Sequence, residues 1–457
     1  MKSLSDTIAA IGTGRSPAAL GIVRISGPES ETILKTLLGR KKPLPDRRVL
    51  AGIVRDPETG SPLDEVLCFF LKGPHTATGD DVVEIHGHGG PVVMGRLLST
   101  VLGVGARPAE PGEFTYRAFA NGRIDLTQAE AVMGLIGARS ERAARVALGQ
   151  MTGALGEALS KHFETLSAVA AHIEAGLDFP DEDLPAEMTS TLYHRLTGVV
   201  TALERLAASF GLGNRLTEGA TIAIVGPANA GKSSLFNRLL REERAIVDSE
   251  PGTTRDVVTA HGEIGGIPVM YSDTAGLRET GSRVEQVGIE KSREAARSAD
   301  VLLLVLDGTS PTLETDRSRF VSLLEKISCR RILVLNKMDL PSWRGERLEP
   351  EGFESERVAI SAVSGQGMDA LVSTMERLLA GEDQGETTML TTARQHRAVV
   401  DTLAFVKRGA SLLIEGGQPE LVAAELKWAR EVLAALLGKS ATEEMLDVLF
   451  SEFCIGK

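Results

Sequence analysis

The chain has 457 residues, 42% of them hydrophobic and 25% charged, which is typical of a folded protein with two to four domains of roughly 150 residues each. Its formal net charge of −12 argues against a general nucleic-acid coat or a membrane-surface protein, because both bind phosphate through Lys and Arg. No apolar run exceeds six residues and the three cysteines lie far apart, so we expect a cytoplasmic protein with no membrane span and no disulfide framework.

The first and last parts of the chain differ in pattern. Residues 1–120 are rich in Gly and Pro with short apolar runs, such as Gly21–Ile25 and Val66–Leu71, and this predicts a small α+β domain. Between 121 and 216 apolar residues recur at helical spacing. After a polar linker that begins at Gly381, helical spacing returns with an apolar stripe of Leu421, Val422, Leu426, Ala429, Leu433 and Leu437.

Between these parts, residues 217–381 alternate strand-like and helical segments, which predicts a parallel sheet with helices on both faces. The predicted strands are Thr221–Val225, Val269–Asp273, Val301–Asp307, Arg331–Asn336 and Val358–Ser361. The simplest architecture inserts this α/β domain into a discontinuous helical domain, residues 121–216 plus 382–457, behind the N-terminal α+β domain. A separate C-terminal helical domain is the alternative.

The strongest motif is the string Gly226-Pro-Ala-Asn-Ala-Gly-Lys-Ser233, between a predicted strand and a predicted helix. Its glycines allow backbone N–H groups to surround phosphates, Lys232 can bridge the β- and γ-phosphates, and the Ser233 hydroxyl can ligate Mg²⁺. The alternative is a Gly-rich turn that binds nothing. The string therefore predicts a phosphate-binding loop.

Four later motifs favour GTP over ATP and occur in the order expected of a GTPase of the translation-factor class. Thr254, in Gly252-Thr-Thr-Arg-Asp256, offers a second hydroxyl to Mg²⁺, and Asp273-Thr-Ala-Gly276 can hold the metal's water shell and sense the γ-phosphate. In Asn336-Lys-Met-Asp339 the Asp339 carboxylate can accept the N–H groups on the guanine edge. Ser361-Ala362 completes the set.

The residue after Gly276 is Leu277, where Ras-like enzymes carry the glutamine that orients the attacking water. A leucine cannot orient water. Hydrolysis is therefore either very slow or assisted by another polar group, for which Asn229, Glu279 and Glu285 are candidates.

Over its whole length the sequence resembles the MnmE (TrmE) family of tRNA uridine modification GTPases. The resemblance is carried by the inserted GTPase, by Gly87-His-Gly-Gly-Pro91, by the block Arg107–Thr115, by Asp178-Phe-Pro-Asp-Glu182, and by the ending Phe453-Cys-Ile-Gly-Lys457. It implies a homodimer that acts with the flavin-dependent partner MnmG (GidA) to place a 5-carboxymethylaminomethyl or related aminomethyl group on the wobble uridine of certain tRNAs. A GTP-dependent RNA- or ribosome-binding switch without modification activity is the alternative.

The resemblance also implies a potassium-activated reaction. It assigns a K⁺ ion to Asn229, Asp248, Glu250 and Thr253, where the cation would stand in for an arginine finger, and it makes Glu285 the catalytic acid that orients water indirectly. Glu285, Asn229 and Lys232 are the predicted catalytic residues. The whole predicted GTP site comprises Asn229, Ala230, Gly231, Lys232, Ser233, Ser234, Asp248, Ser249, Glu250, Pro251, Gly252, Thr253, Thr254, Asp273, Thr274, Ala275, Gly276, Asn336, Lys337, Asp339, Ser361 and Ala362.

For the N-terminal domain the resemblance implies a site for a one-carbon donor of the 5-formyl-tetrahydrofolate type. It places this site on Arg24, Glu84, Arg123 and Lys457, with the Cys454 thiol near the donor. The alternative is that these charges pair with one another in a purely structural role, and that Cys454 is simply buried.

Two further groups of residues have alternative interpretations. His86 and His88 could suggest a metal site, but a structural turn is favoured because no third strong ligand stands at metal spacing. Arg394, His396 and Arg397 could contact tRNA phosphates, but a solvated helix face is favoured.

Overall fold

The computed structural model describes residues 4–14, 16–178, 186–242, 258–273, 293–324, 327, 329–345, 356–381 and 388–457. The chain divides into two compact units. The first comprises residues 1–133, 150–196 and 404–457, and the second comprises residues 134–149 and 197–403. The helices of the chain, taken over both units, are α1 (Ser30–Leu37), α2 (Pro91–Gly103), α3 (Glu113–Ala120), α4 (Leu126–Gly137), α5 (Glu141–Met151), α6 (Ala154–Asp178), α7 (Ala186–Glu218), α8 (Lys232–Glu242), α9 (Leu313–Leu324), α10 (Met368–Ala380), α11 (Ala393–Ile414), α12 (Pro419–Leu436) and α13 (Glu443–Ser451).

The first unit contains a six-stranded sheet built from the N-terminal part of the chain. Its strands are β1 (Ile8–Ile11), β2 (Leu20–Ser26), β3 (Val49–Arg55), β4 (Pro62–Leu71), β5 (Val82–His88) and β6 (Arg107–Pro108), in the spatial order β3-β4-β5-β2-β1-β6. All neighbours are antiparallel except β1 and β6. Val23, Ile25 and Ile85 lie on one face of the sheet and belong to its hydrophobic core. Because side chains alternate along a strand, the intervening Arg24 and Glu84 lie on the opposite face.

The same unit also contains helices that lie far apart in the sequence. The long helices α6 and α12 pack together, and α3 and α4 meet the C-terminal helix α13 through Leu126, Phe450 and Phe453. The predicted stripe on α12 is confirmed except at Leu421, which is 49% exposed, whereas Leu426 is fully buried. Leu421 lies about 100° around the helix from the buried Val422, on the side of the exposed Trp428.

The second unit is built around a sheet whose strands are β7 (Ala220–Val225), β8 (Val258–Ile264), β9 (Ile267–Asp273), β10 (Val301–Asp307), β11 (Arg330–Asn336) and β12 (Glu356–Ala359). The spatial order is β12-β11-β10-β7-β9-β8, and only β8 is antiparallel to its neighbour. One core packs on each face of this sheet, which explains why β10 reads as an uninterrupted apolar run.

The predicted multidomain fold is confirmed: a small α+β region, a parallel sheet covered on both faces, and helical segments before and after it in the chain. The strand predicted over Val358–Ser361 ends at Ala359, so Ser361 lies in the following turn. Among the described residues no helix combines the length and hydropathy needed to cross a bilayer.

Candidate functional site

The predicted phosphate loop joins β7 to α8 at the carboxyl end of a strand inside the sheet. Gly226 has φ +148° and Gly231 has φ +93°, and a Cβ on them would lie 2.1 Å from Val305 O and 2.2 Å from Asn336 Nδ2, respectively. Asn229 takes a left-handed conformation with φ +62° although it is not glycine. This backbone, followed directly by a helix N-terminus, has the form that presents N–H groups to an anion.

Lys232 and Ser233 begin the helix that follows the loop. The Lys232 side chain is held across the loop, because its Nζ donates to the carbonyl oxygens of Gly226 (2.9 Å) and Pro227 (2.7 Å). Ser233 and Ser234 are exposed, whereas Ala230 is buried. A cation fixed over the loop and a hydroxyl in the first turn of the helix are the two groups that a phosphate–Mg²⁺ complex requires.

The Asn336 side chain connects the phosphate loop with the two motifs predicted to bind guanine. Its Nδ2 donates to Ala230 O (2.9 Å), and its Oδ1 accepts from the backbone N–H of Lys337 (2.8 Å) and of Ala362 (3.0 Å). Asn336 is 2% exposed. A buried amide with three satisfied bonds fixes these segments relative to each other, since breaking any one would leave a buried polar group unpaired.

Lys337 also has a left-handed backbone, with φ +67°, and its side chain is tied to the neighbouring strand. Its Nζ lies 2.6 Å from Asp307 Oδ2, and Asp307 Oδ1 accepts from the N–H and the hydroxyl of Thr309. Burial alone would raise the pKa of Asp307, but the hydrogen bonds from Lys337 and Thr309 outweigh it and hold that pKa below its ordinary value.

The two remaining residues of the predicted guanine site, Asp339 and Ser361, lie at the same edge of the sheet. Asp339 is exposed, two residues beyond the backbone turn at Lys337, where its carboxylate is accessible to a ligand. Ser361 is fully buried, and its hydroxyl accepts from Ser364 N (3.0 Å), which closes the turn that presents Ala362.

Several predicted site residues lie outside the described residues. They are Asp248, Ser249, Glu250, Pro251, Gly252, Thr253, Thr254, Thr274, Ala275, Gly276, Leu277, Glu279 and Glu285. Asp273 is the last residue of β9, at the same edge of the sheet as the phosphate loop, and only its backbone is described.

A second set of predicted residues meets in the first unit. Arg24 on β2 lies directly opposite Glu84 on β5, and its Nε and Nη2 approach Glu84 Oε1 at 2.9 and 2.8 Å. Glu84 Oε2 also lies 3.1 Å from His86 Nε2. Burial acts to raise the pKa of Glu84, but His86 and Arg24 together hold it below its ordinary value.

The C-terminal residues reach the same pair. Gly456 O accepts from Arg24 Nη1 (3.4 Å), and Lys457 O accepts from Phe114 N (3.2 Å). Cys454 is exposed, so the interpretation that it is simply buried is wrong. Arg24, Glu84 and the chain end are therefore brought together, whereas the Arg123 side chain donates to Thr76 O (3.2 Å), a different partner.

Sequence reasoning missed the most deeply buried charges in the first unit. Glu113 and Arg117 on α3 are both 0% exposed. Glu113 Oε2 accepts from Arg107 Nη1 (2.9 Å), Arg117 Nη2 donates to Asp6 Oδ1 (2.6 Å), and Arg107 Nε donates to Asp6 Oδ2 (2.6 Å). This network of Asp6, Arg107, Glu113 and Arg117 joins the segment before β1 to β6 and α3. The charged block Arg107–Thr115 was its only signal in the sequence, because Asp6 is a hundred residues away.

The two histidines of the Gly87–Pro91 region have separate carboxylate partners. His86 pairs with Glu84, and His88 Nδ1 lies 2.7 Å from Asp64 Oδ1. In the part of the chain that the structure describes, no cluster of three His, Cys, Asp or Glu side chains could hold a metal. In the second unit the His396 ring stacks on Phe210 at 4.3 Å, in keeping with a packing role on its helix.

Comparison with known proteins covers the whole chain. The model of the MnmE helical domain matches residues 126–454, and that of the GTP-binding protein TrmE N-terminus matches residues 7–123. Among solved structures, the G domain of the T. maritima FeoB iron transporter is 21% identical and covers 35% of this chain and 98% of that chain, with a TM-score of 0.26 that carries no weight.

The full-length relatives carry the assignment. The tRNA modification GTPase MnmE of Koribacter versatilis is 41% identical over 100% of both chains. Those of Natranaerobius thermophilus and Symbiobacterium thermophilum are 39% and 40% identical over 99% of both chains. The chain belongs to the tRNA modification GTPase MnmE family.

Proposed function

We propose that this protein hydrolyses GTP to drive modification of the wobble uridine of certain tRNAs, with a flavin-dependent MnmG (GidA) partner. The observation that supports GTP as the ligand is the Asn336 amide, which connects the phosphate loop at Ala230 to Lys337 and Ala362. One buried side chain thus holds a phosphate site and a base site at a fixed separation. The tRNA part of the proposal rests on family membership.

The residues at the phosphate loop fit the two cations proposed for the reaction. Ser233, with Thr254, would ligate Mg²⁺, and Asn229, with Asp248, Glu250 and Thr253, would hold K⁺. Asn229 suits this role because it is exposed within the phosphate loop and carries a side-chain amide oxygen that can ligate a cation. When bound, both cations offset negative charge on the phosphate oxygens.

The proposed cation dependence has a direct test. GTP turnover by wild-type protein at high concentration should be much faster in K⁺ than in Na⁺, and Asn229→Ala should remove the difference. Asn237→Ala is a matched control, because Asn237 is an exposed asparagine on α8 of the same unit and belongs to none of the predicted ligand sets. Equal wild-type rates in both salts would contradict the K⁺ assignment.

Glu285 is the proposed residue that orients the attacking water, and Glu279 is the candidate to replace it. Glu285→Ala should leave GTP binding nearly intact and lower turnover about 100-fold or more, as expected for a lost catalytic acid–base or electrostatic group. Asp339→Asn is the complementary variant, since it should relax selectivity for guanine without changing the chemistry. Normal hydrolysis by the Glu285 variant would move the role to another residue.

The first unit is the proposed site for a 5-formyl-tetrahydrofolate-type donor, on Arg24, Glu84, Arg123 and Lys457, with Cys454 nearby. Two groups there suit a pterin with an amide-like edge. The Glu84 carboxylate can accept an N–H pair, and the Arg24 guanidinium, already at 3.4 Å from Gly456 O, can donate to a carbonyl. The Arg123 side chain donates to Thr76 O instead, so Arg123 can take part only if the bound folate extends as far as Thr76.

Calorimetry with 5-formyl-tetrahydrofolate tests this site. Wild-type protein should bind the compound, and Glu84→Ala should weaken binding. Glu58→Ala is the matched control because Glu58 is an exposed carboxylate in the turn between β3 and β4. Undiminished binding to the Glu84 variant would remove the assignment and leave the GTPase proposal untouched.

The proposed homodimer is supported by the outward face of the N-terminal sheet. Val49 and Ile53 on the edge strand β3 are 59% and 45% exposed, and Leu67 on β4 is 49% exposed. Three large apolar side chains facing solvent on neighbouring strands are a surface that a second copy could cover. We also propose a cytoplasmic location and the domain boundaries 1–120, 217–381, and 121–216 plus 382–457.

Nucleoside analysis tests the function as a whole. Cells lacking this protein should lose the 5-carboxymethylaminomethyl or aminomethyl group from wobble uridines, and the wild-type gene should restore it. Unchanged wobble uridines would remove the modification proposal and favour a GTP-dependent RNA- or ribosome-binding switch.

A further inference from the structure

The turn after β10 is an unassigned part of the site, and it is fastened to the segment that carries Lys337. Asp307 and Asn336 stand in register at the ends of the parallel strands β10 and β11. Beyond them, Gly308 N donates to Asn336 O (3.0 Å), and Arg344 N donates to Gly308 O (2.7 Å). The two turns therefore form one unit of backbone at the carboxyl edge of the sheet.

Gly308 has no room for a side chain in this arrangement. A Cβ there would lie 2.1 Å from Trp343 Nε1 and 3.0 Å from Asn336 O. The carboxylate of the preceding residue, Asp307, is held by Thr309, whose N–H and hydroxyl donate to its Oδ1 at 2.9 and 2.7 Å. Only Oδ2 is left to meet the Lys337 ammonium, at 2.6 Å.

Lys337 has four side-chain torsions, and ordering such a side chain on binding a ligand lowers affinity. Asp307 removes that requirement because it holds the ammonium before any ligand arrives. The left-handed backbone of Lys337 and the Asn336 bond to its N–H fix the other end of the same residue. Between these two fixed ends the alkyl chain of Lys337 is a preformed wall for a bound base, and the exposed Asp339 follows two residues later in the chain.

We propose that Asp307 is a positioning residue of the guanine site, which fixes the Lys337 side chain as a preformed wall for the base. The inference rests on the proposed GTP site and adds a residue to it. Asp307 acts through Lys337 and touches neither phosphate nor metal. It should therefore contribute to nucleotide affinity and leave the chemical step nearly unchanged.

A double-mutant cycle on the full-length protein tests the inference, with fluorescent GDP as the probe. Asp307→Asn should raise the Kd about 10-fold, which corresponds to about 1.4 kcal/mol. In the background of Lys337→Met the same substitution should change the Kd less than about twofold, since the group through which it acts is gone. The turnover number at saturating GTP should stay within about twofold of wild type while KM rises.

Asp316→Asn is the matched control. Asp316 lies on helix α9 of the same unit, and its carboxylate accepts a hydrogen bond from the Thr312 hydroxyl (2.8 Å). It should bind GDP as wild type does. If Asp307→Asn raises the Kd equally in both backgrounds, or leaves it unchanged, the inference is overturned while the GTP site stands. If wild-type protein does not bind GDP, the proposed site fails and the inference with it.

Discussion

A methyl group on Gly231 should disable the nucleotide site, and the structure gives the size of the effect. The added Cβ of Gly231→Ala would lie 2.2 Å from Asn336 Nδ2, so the amide must move. That movement breaks its bond to Ala230 O and disturbs those from Lys337 N and Ala362 N. A buried polar group left unpaired costs about 1–3 kcal/mol, and a left-handed non-glycine residue adds about 1–2 kcal/mol.

A loss of about 2–5 kcal/mol would raise the Kd for GDP roughly 30- to 5,000-fold. Equilibrium titration with fluorescent GDP measures it, alongside thermal unfolding. Gly416→Ala is the control, because Gly416 has φ +72° but nothing within 4 Å of its added Cβ. It therefore carries the backbone strain without the collision and should bind GDP normally. A Gly231 variant that binds GDP within about threefold of wild type would refute the role of the Asn336 connection.

Three further predictions concern stability and reactivity. Glu113→Gln should cost about 3–5 kcal/mol at pH 7, because it breaks a buried charge network. Burial would raise the pKa of Glu113, but Arg107 holds it below its ordinary value of 4.5, so this stability is present above pH 4.5 and lost as pH falls through the folded-state pKa. Other carboxylates with a lowered pKa remain in the variant, so denaturant unfolding should show a smaller loss in the variant than in wild type. Leu426→Ala should cost about 2–5 kcal/mol in the same assay, whereas Leu421→Ala should stay within about 0.5 kcal/mol, and equal effects would contradict the burial difference. Burial raises the pKa of Cys68 to about 12, so mass spectrometry after thiol alkylation at pH 8 should find Cys454 modified and Cys68 protected, and similar labelling of both would contradict the structure.

Much of the second unit was predictable, because its signals are local. A strand buried on both faces has a continuous apolar sequence, as in Val301–Asp307. The phosphate loop is identified by its glycines and by the Lys-Ser pair that follows them. The strand β8 was missed, although Gly265-Gly266 marks the turn of its hairpin with φ +56° and +79°. Its own sequence, Val-Thr-Ala-His-Gly-Glu-Ile, alternates too weakly to identify an edge strand.

The candidate site in the first unit depends on distant pairings, which composition and periodicity do not encode. Nothing local indicates that Arg24 faces Glu84 or that Gly456 O accepts from Arg24, and only the family resemblance grouped Arg24 and Glu84 with the C-terminal Lys457. The Asp6–Arg117 contact had no signal at all, since each residue alone reads as an ordinary surface charge. Leu421 shows a different limit: an apolar residue next to the stripe was assigned to it, although it lies about 100° away from Val422 on the side of the exposed Trp428.

The bond between Arg24 and Gly456 also sets the order in which the molecule can be built. The two residues are 432 positions apart, so a ribosome adding about 5–20 residues per second needs on the order of 20–90 s between them. During that interval Arg24 and Glu84 can pair, but Phe114 N lacks its Lys457 acceptor, and Phe450 and Phe453 have not yet covered α4. The second unit, whose chain is completed earlier, can therefore be folded before the first unit closes. The contact between Arg24 and Gly456 can form only after Gly456 has been synthesised.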